Sequence, residues 1–180
     1  MRSTAPEHPK SAVGRVLAAA LVLAGASTVM PVALASSPKK HPLYASRELW
    51  ATIDVCNPQR QPNVIGIRGS MPSDGHSADA MYMRFIVQVL NPTTHAWMAL
   101  GKDADSGFVA VGSSRSARQA GRSFVLVPTS TSSTLSGLVE FQWRRGNRVL
   151  YRSSRFTSAG HKSLAGADPP DYSQATCTIG

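Results

Sequence analysis

Met81-Tyr82-Met83-Arg84-Phe85-Ile86-Val87-Gln88-Val89-Leu90 decides the fold class. Met81, Met83, Phe85, Val87 and Val89 occupy alternate positions, with Tyr82, Arg84 and Gln88 between them. Apolar residues repeating at every second position describe a strand with one buried face; a helix needs a repeat of about 3.6. Asn91-Pro92-Thr93-Thr94-His95 then turns the chain, and Ala96-Trp97-Met98-Ala99-Leu100 returns it.

Working outward, the same pattern recurs. Leu138 to Phe156 reads as a hairpin, with Val139, Phe141, Trp143, Val149 and Tyr151 on one face. Their odd numbers favour a three-residue loop, Arg145-Gly146-Asn147, pairing Trp143 with Val149 and Phe141 with Tyr151. That register sets Glu140 opposite Arg152. A two-residue Gly146-Asn147 turn is the second choice. Leu49, Ala51, Ile53 and Val55 alternate with Trp50, Thr52 and Asp54, a half-buried strand ending at Cys56. Val64 to Gly69, Phe108 to Val111 and Ser123 to Val127 are further strands, and Gln174 to Ile179 closes the set. Ser113 to Gly121 reads as a basic loop, and Thr129 to Ser136 as a mobile or edge-like Ser/Thr tract. Seven to nine short strands, turn signals between them and no amphipathic helix predict an all-β, antiparallel Ig-like sandwich.

Cys56 and Cys177 are the only cysteines, one in the first strand and one in the last. In an exported chain two such cysteines pair, here across 120 intervening residues. Export is read from the leader. Arg2, Lys10 and Arg15 precede the apolar run from Val16 to Gly25, and Ala33-Leu34-Ala35 supplies a small-x-small site. Residues 1–35 are therefore expected to be a signal peptide, residues 36–47 a flexible linker and residues 48–180 the sandwich. The alternative is a retained anchor, since Val16 to Ala35 is 20 residues without a charge. Without Arg2, Glu7, Lys10 and Arg15 the chain keeps 16 Lys+Arg against 9 Asp+Glu, a net charge of +7. A basic surface outside the cell attracts anionic polymers, or acidic proteins, with little regard to their shape. The expected location is secreted, extracellular or attached to the cell envelope.

No nucleophile elbow, His-Glu-x-x-His or phosphate-cradling loop occurs. His41, His76, His95 and His161 all fall in predicted loops. The reading is therefore a non-enzymatic binding module; a hydrolase assembled from separate loops is an open alternative. Asp103-x-Asp105-x-Gly107 resembles the start of a calcium loop, but position 114 is Ser where a bidentate Glu is needed. Met71, His76, His95 and Met98, with Met81 and Met83, are soft ligands of the kind that hold Cu(I). Methionine is also ordinary filler on an apolar strand face. Core packing is preferred, and no metal or cofactor is expected. Arg144, Arg145, Arg148, Arg152 and Arg155, with Lys162 beyond, cluster at the hairpin and its exit. They are the candidate contacts for an anionic partner, an envelope polymer or another protein. Nucleic acid is not expected, given export, and no membrane span is expected once the leader is removed.

Cys56-Asn57-Pro58, Asn63 to Pro72, Met81 to Phe85, Phe141 to Gly146, Thr157 to His161, Gly166 to Pro170 and Tyr172 to Cys177 together resemble a group of uncharacterised exported proteins of high-GC Gram-positive bacteria. The resemblance implies an Ig-like or fibronectin-III-like sandwich. It implies no activity.

Overall fold

Alternation along each strand sets up two apolar faces, and the chain buries them against each other. The computed structural model describes residues 41–161 and 164–180. The predicted leader, the first part of the predicted linker and Lys162 lie outside them. The described residues contain nine strands: β1 (Trp50–Cys56), β2 (Val64–Met71), β3 (Ala80–Leu90), β4 (Trp97–Ala99), β5 (Val109–Ser113), β6 (Arg118–Val125), β7 (Ser133–Arg145), β8 (Arg148–Phe156) and β9 (Thr176–Ile179). One antiparallel sheet has the order β1-β2-β6. The other has β4-β3-β7-β8, with β5 also on β3 and β9 also on β7. Together they form the Ig-like sandwich. No helix among the described residues is long and apolar enough to cross a membrane.

The core is made of the predicted faces. Met81, Met83, Phe85 and Val87 of β3 and Val139, Phe141 and Trp143 of β7 are fully buried. They meet Ile65, Ile67 and Met71 of β2 and Ile53 of β1 from the other sheet. The indole N–H of Trp143 donates to the carbonyl of Pro72 at 3.0 Å, which satisfies its one polar atom.

Cys56 and Cys177 form the disulfide, with Cα atoms 5.6 Å apart. It joins β1 in one sheet to β9 in the other. Strict alternation along β1 would turn Cys56 away from the second sheet. A β-bulge prevents this: Ile53 faces Ile67, Val55 faces Gly66, and Asp54 is the extra residue. Beyond it the phase is reversed, so Cys56 pairs with the fully buried Ile65 and points inward. Val55, expected on the core face, is instead buried on the other side.

That other side is covered as well. Residues 158–161 and 164–174 run back along the free edge of β1. Ile53 and Gln174 exchange two backbone hydrogen bonds, Asp168 N–H donates to the carbonyl of Asp54, and Ser158 N–H to that of Ala51. His161 stacks on Trp50 with ring centroids 4.1 Å apart. Thr52 and Asp54 are therefore buried rather than half-exposed. Thr52 Oγ1 lies 2.7 Å from Ser173 Oγ, and Asp54 accepts from Arg68 Nε at 2.7 Å.

Four expectations need correction. The β7–β8 turn has two residues, with Arg145 facing Arg148 across Gly146-Asn147. Gly146 takes φ +56°, the left-handed conformation glycine adopts freely in such a turn. A bulge at Leu150 then pairs Trp143 with Tyr151 and Phe141 with Ser153, and leaves Glu140 opposite Ser154 rather than Arg152. The Ser/Thr tract is loop only in its first half: Thr129 to Ser132 precede the strand, and Ser133 to Ser136 opens β7, paired with β9 throughout and with β3 from Leu135 onward. The basic loop contributes Arg118 to Gly121 to β6, an edge strand whose exposed side chains carry no apolar pattern. The flexible linker is folded from His41 onward: Pro42–Ala45 forms one helical turn, α1, and Leu43 is buried.

β7 changes partner at Gly137, from β9 to β8. Thr157, just past β8, fills the joint. Its N–H donates to Gly137 O at 2.9 Å, and its hydroxyl accepts from Gly137 N–H and donates to Ala175 O at 2.6 Å. A Cβ on Gly137 would lie 2.7 Å from Thr157 Cγ2 and 2.9 Å from Ile67 Cδ1. Gly137→Ala should therefore cost about 2 kcal/mol by overpacking. Adding Thr157→Ser, which keeps the hydroxyl and removes the methyl, should recover part of that loss. Urea unfolding of the single and double variants measures this, and strict additivity would refute the steric account. Removing the bridge with Cys56→Ala/Cys177→Ala, which opens a sequence separation of 121, should lower stability by about 4 to 5 kcal/mol. A change under about 1 kcal/mol would show that the closed loop does not constrain the unfolded chain.

Candidate functional site

Side chains alternate between the faces of a strand, and this divides the arginine cluster. Arg144 and Arg152 project from the outer face of the six-stranded sheet, on either side of Gln142. Arg145 and Arg148 face each other at the hairpin tip on the opposite side. Arg155 is in register with the core residue Val139. Its guanidinium donates to Tyr44 O at 2.6 Å and to Ser154 O at 2.8 Å, so it fastens α1 to the sheet.

Arg145 is also committed. It grips Asp79 with two hydrogen bonds, Nε to Oδ1 at 2.6 Å and Nη2 to Oδ2 at 2.9 Å. Asp79 is 1% exposed, and its N-terminal loop is tied down by Ser73, Asp74 and Ser114. The hydrogen bond from Arg145 holds the Asp79 carboxyl below its ordinary range, against the opposing effect of burial; Asp74 and His76 also face it. An aspartate so depressed adds stability that is complete above its unfolded value near pH 3.9 and is lost as pH falls through the folded value. Asp79→Asn should lower the thermal midpoint at neutral pH and flatten its fall between about pH 4 and pH 2. An unchanged acid slope would move the effect to another carboxylate, with Asp105 the first to test.

The outer face holds a second group that no local motif announces. The Arg144 guanidinium lies over the Tyr82 ring, 4.1 Å from its centroid, and 5.0 Å from the Phe108 ring. Its Nε donates to Gln142 Oε1 at 2.8 Å. Beside it Arg84 donates to both Asp105 and Glu140, the latter at 3.1 Å. The Arg84 hydrogen bond holds the Asp105 carboxyl below its usual range, so Asp105 is ionised at neutral pH. Phe108, Glu140, Gln142, Arg152, Ser153 and Ser154 surround a polar depression of about 480 Å³. Arg152 is exposed and has no hydrogen bond or ion pair among the described residues. Tyr82, Arg84 and Gln142 sat in plain view on strand faces. Phe108 comes from a separate segment, and nothing in sequence spacing connects it to Arg144.

At one end of the sandwich, an apolar cleft of about 300 Å³ lies among Leu100, Ala104, Leu126, Val127, Leu135 and Ile179. None of the candidate arginines borders it.

The soft-ligand set is not brought together. Met71, Met81 and Met83 are core residues. His76 sits just before the start of β3, His95 lies in the turn beyond its far end, and Met98 of β4 pairs with Val89 near that end. Most of the length of β3, roughly 30 Å, separates the two groups. Asp103 is exposed in the 3₁₀ turn Lys102–Ala104, while Asp105 turns away to Arg84 and accepts from Gly107 N–H. No group of three or more His, Cys, Asp or Glu side chains suited to a metal occurs among the described residues.

No protein-family model matches the chain, and neither does any curated protein or solved structure.

Proposed function

We propose that the protein is an exported, non-enzymatic binding module of the cell envelope that holds an anionic polymer against the outer face of its six-stranded sheet. One observation carries this reading. Arg144 is positioned over two aromatic rings, and Arg152 stands beside it without a carboxylate partner. Stacking spreads over the flat faces of the guanidinium and leaves edge N–H groups for a ligand. A preset cation loses less side-chain freedom on binding than a mobile one.

The disulfide agrees with an oxidising location. The carboxylates of this face suit binding better than proton transfer. Asp105 and Glu140 both accept from Arg84, and Asp105 is held in its charged form. A general acid needs the opposite shift.

Net charge and a specific face make different demands on a test. Arg144→Ala/Arg152→Ala should weaken binding to dextran sulfate by roughly tenfold or more, since each lost charge-assisted contact is worth about 1.5 to 3 kcal/mol. Arg47→Ala/Arg60→Ala, two exposed arginines elsewhere, removes the same charge and should have little effect. Calorimetric titration at two salt concentrations measures both. Equal losses in the two double variants would reduce the interaction to net charge and sink the assignment of this face.

A further inference from the structure

We infer that the polymer is an acidic polysaccharide, with a sugar ring packed on Phe108 and its carboxylate held by Arg152. This rests on the outer face being the polymer contact. The depression of about 480 Å³ has walls of unlike chemistry. Phe108 lines it from the segment that leads into β5 beside β3, and Arg152 and Ser154 line it from β8, with Glu140 and Gln142 on β7, the strand between β3 and β8. A pyranose ring has matching parts: an apolar C–H face for an aromatic surface, and hydroxyls around its rim. The Gln142 carbonyl oxygen already accepts from Arg144, which leaves the amide N–H₂ to donate. Glu140 has acceptor capacity beyond its one bond to Arg84, and sugar hydroxyls can use it. The Arg152 fork matches a carboxylate in two-point geometry.

The charge pattern chooses between a sugar acid and a phosphodiester chain. Arg84, Arg144 and Arg152 supply three positive charges, and Asp105 and Glu140 two negative ones, so the local excess is one. That balance suits one carboxylate per repeat. A phosphodiester chain would bring a negative charge to the Glu140 wall, which repels it, and has no use for the Phe108 ring.

The test is calorimetric titration of the purified protein with polygalacturonate, its methyl ester, inorganic polyphosphate and neutral dextran. Polygalacturonate should bind, and should lose at least tenfold in affinity on methyl esterification. Polyphosphate should bind more weakly, and dextran not at all. Phe108→Leu keeps an apolar side chain and removes the flat ring. It should weaken polygalacturonate binding about tenfold and leave polyphosphate binding unchanged, whereas Phe108→Tyr should retain both. Arg152→Lys should behave like Phe108→Leu toward polygalacturonate, because the fork is lost and the charge kept. If polyphosphate binds as tightly as polygalacturonate, or Phe108→Leu binds polygalacturonate like the parent, the sugar-acid assignment is overturned and the polyanion reading survives. If neither polyanion binds, both readings fall.

Discussion

One extra residue in β1 makes the cross-sheet tie possible. Without the bulge at Asp54, Cys56 would share the face of Thr52 and Trp50, and no bond to β9 across the sandwich could form. With it, Cys56 turns toward the core and meets Cys177. The bulge keeps its own polar groups satisfied. The Asp54 carboxylate takes Arg68, and its carbonyl takes the N–H of Asp168. Arg68 also donates to Ala165 O at 2.6 Å, so the same group pins the return segment that covers β1. The bulge, the disulfide and the covered edge are one arrangement. An uncovered β1 would present unpaired backbone groups to any passing strand.

The long strand β7 solves a second problem. Two strands, β9 and β8, lie end to end along one of its edges, and the gap between them would leave backbone groups without partners. Thr157 closes that gap by acting as strand backbone and as side-chain hydroxyl at once. Only a residue without a Cβ fits opposite, because Ile67 of the other sheet presses on the same spot. The C-terminal end of the chain is thus held by β7, by Thr157 and by the bridge to β1. The return segment has little freedom, and it covers the β1 side of the small sheet, where it meets Trp50, Thr52 and Arg68. The outer face of the large sheet keeps exposed or half-buried polar and aromatic side chains, among them Arg152, Ser154, Gln142 and Tyr82.

Much of this was legible from residue order. Period two in β3 and β7 identified the core face, and two cysteines at the limits of the pattern identified their own bond. Phase was the illegible part. A bulge leaves composition and local spacing unchanged while it inverts every side chain beyond it; three strand pairs carry such a shift, and those at Asp54 and at Leu150 overturned the expected facing or pairing. The first reversed Val55 and Cys56. The second shifted the hairpin pairing by two positions and parted Glu140 from Arg152. The Ser/Thr tract misled for another reason: its hydroxyls are satisfied internally, by Thr157 and Ala175 in the case of Ser136, so polar residues occupy an interior strand. The five arginines looked like one patch because they are neighbours in sequence. Alternation and turn geometry send them to three different places.

That separation changes what the positive charge of the chain means. Arg145, Arg68 and Arg84 are each neutralised by carboxylates: Asp79, Asp54, and Asp105 with Glu140. Counting them as surface charge overstates the field that a ligand meets at close range. Arg144 is different, since its partners are neutral: two rings and an amide oxygen. A ring face attracts the cation without cancelling its charge, so the field of Arg144 persists where that of Arg84 is quenched. Arg152 adds a second uncancelled charge one strand away. The outer face balances Arg84 and leaves Arg144 and Arg152 unbalanced beside an aromatic wall, which gives a basis for distinguishing among anions by shape and by charge spacing. Bulk basicity of the same magnitude could not make that distinction.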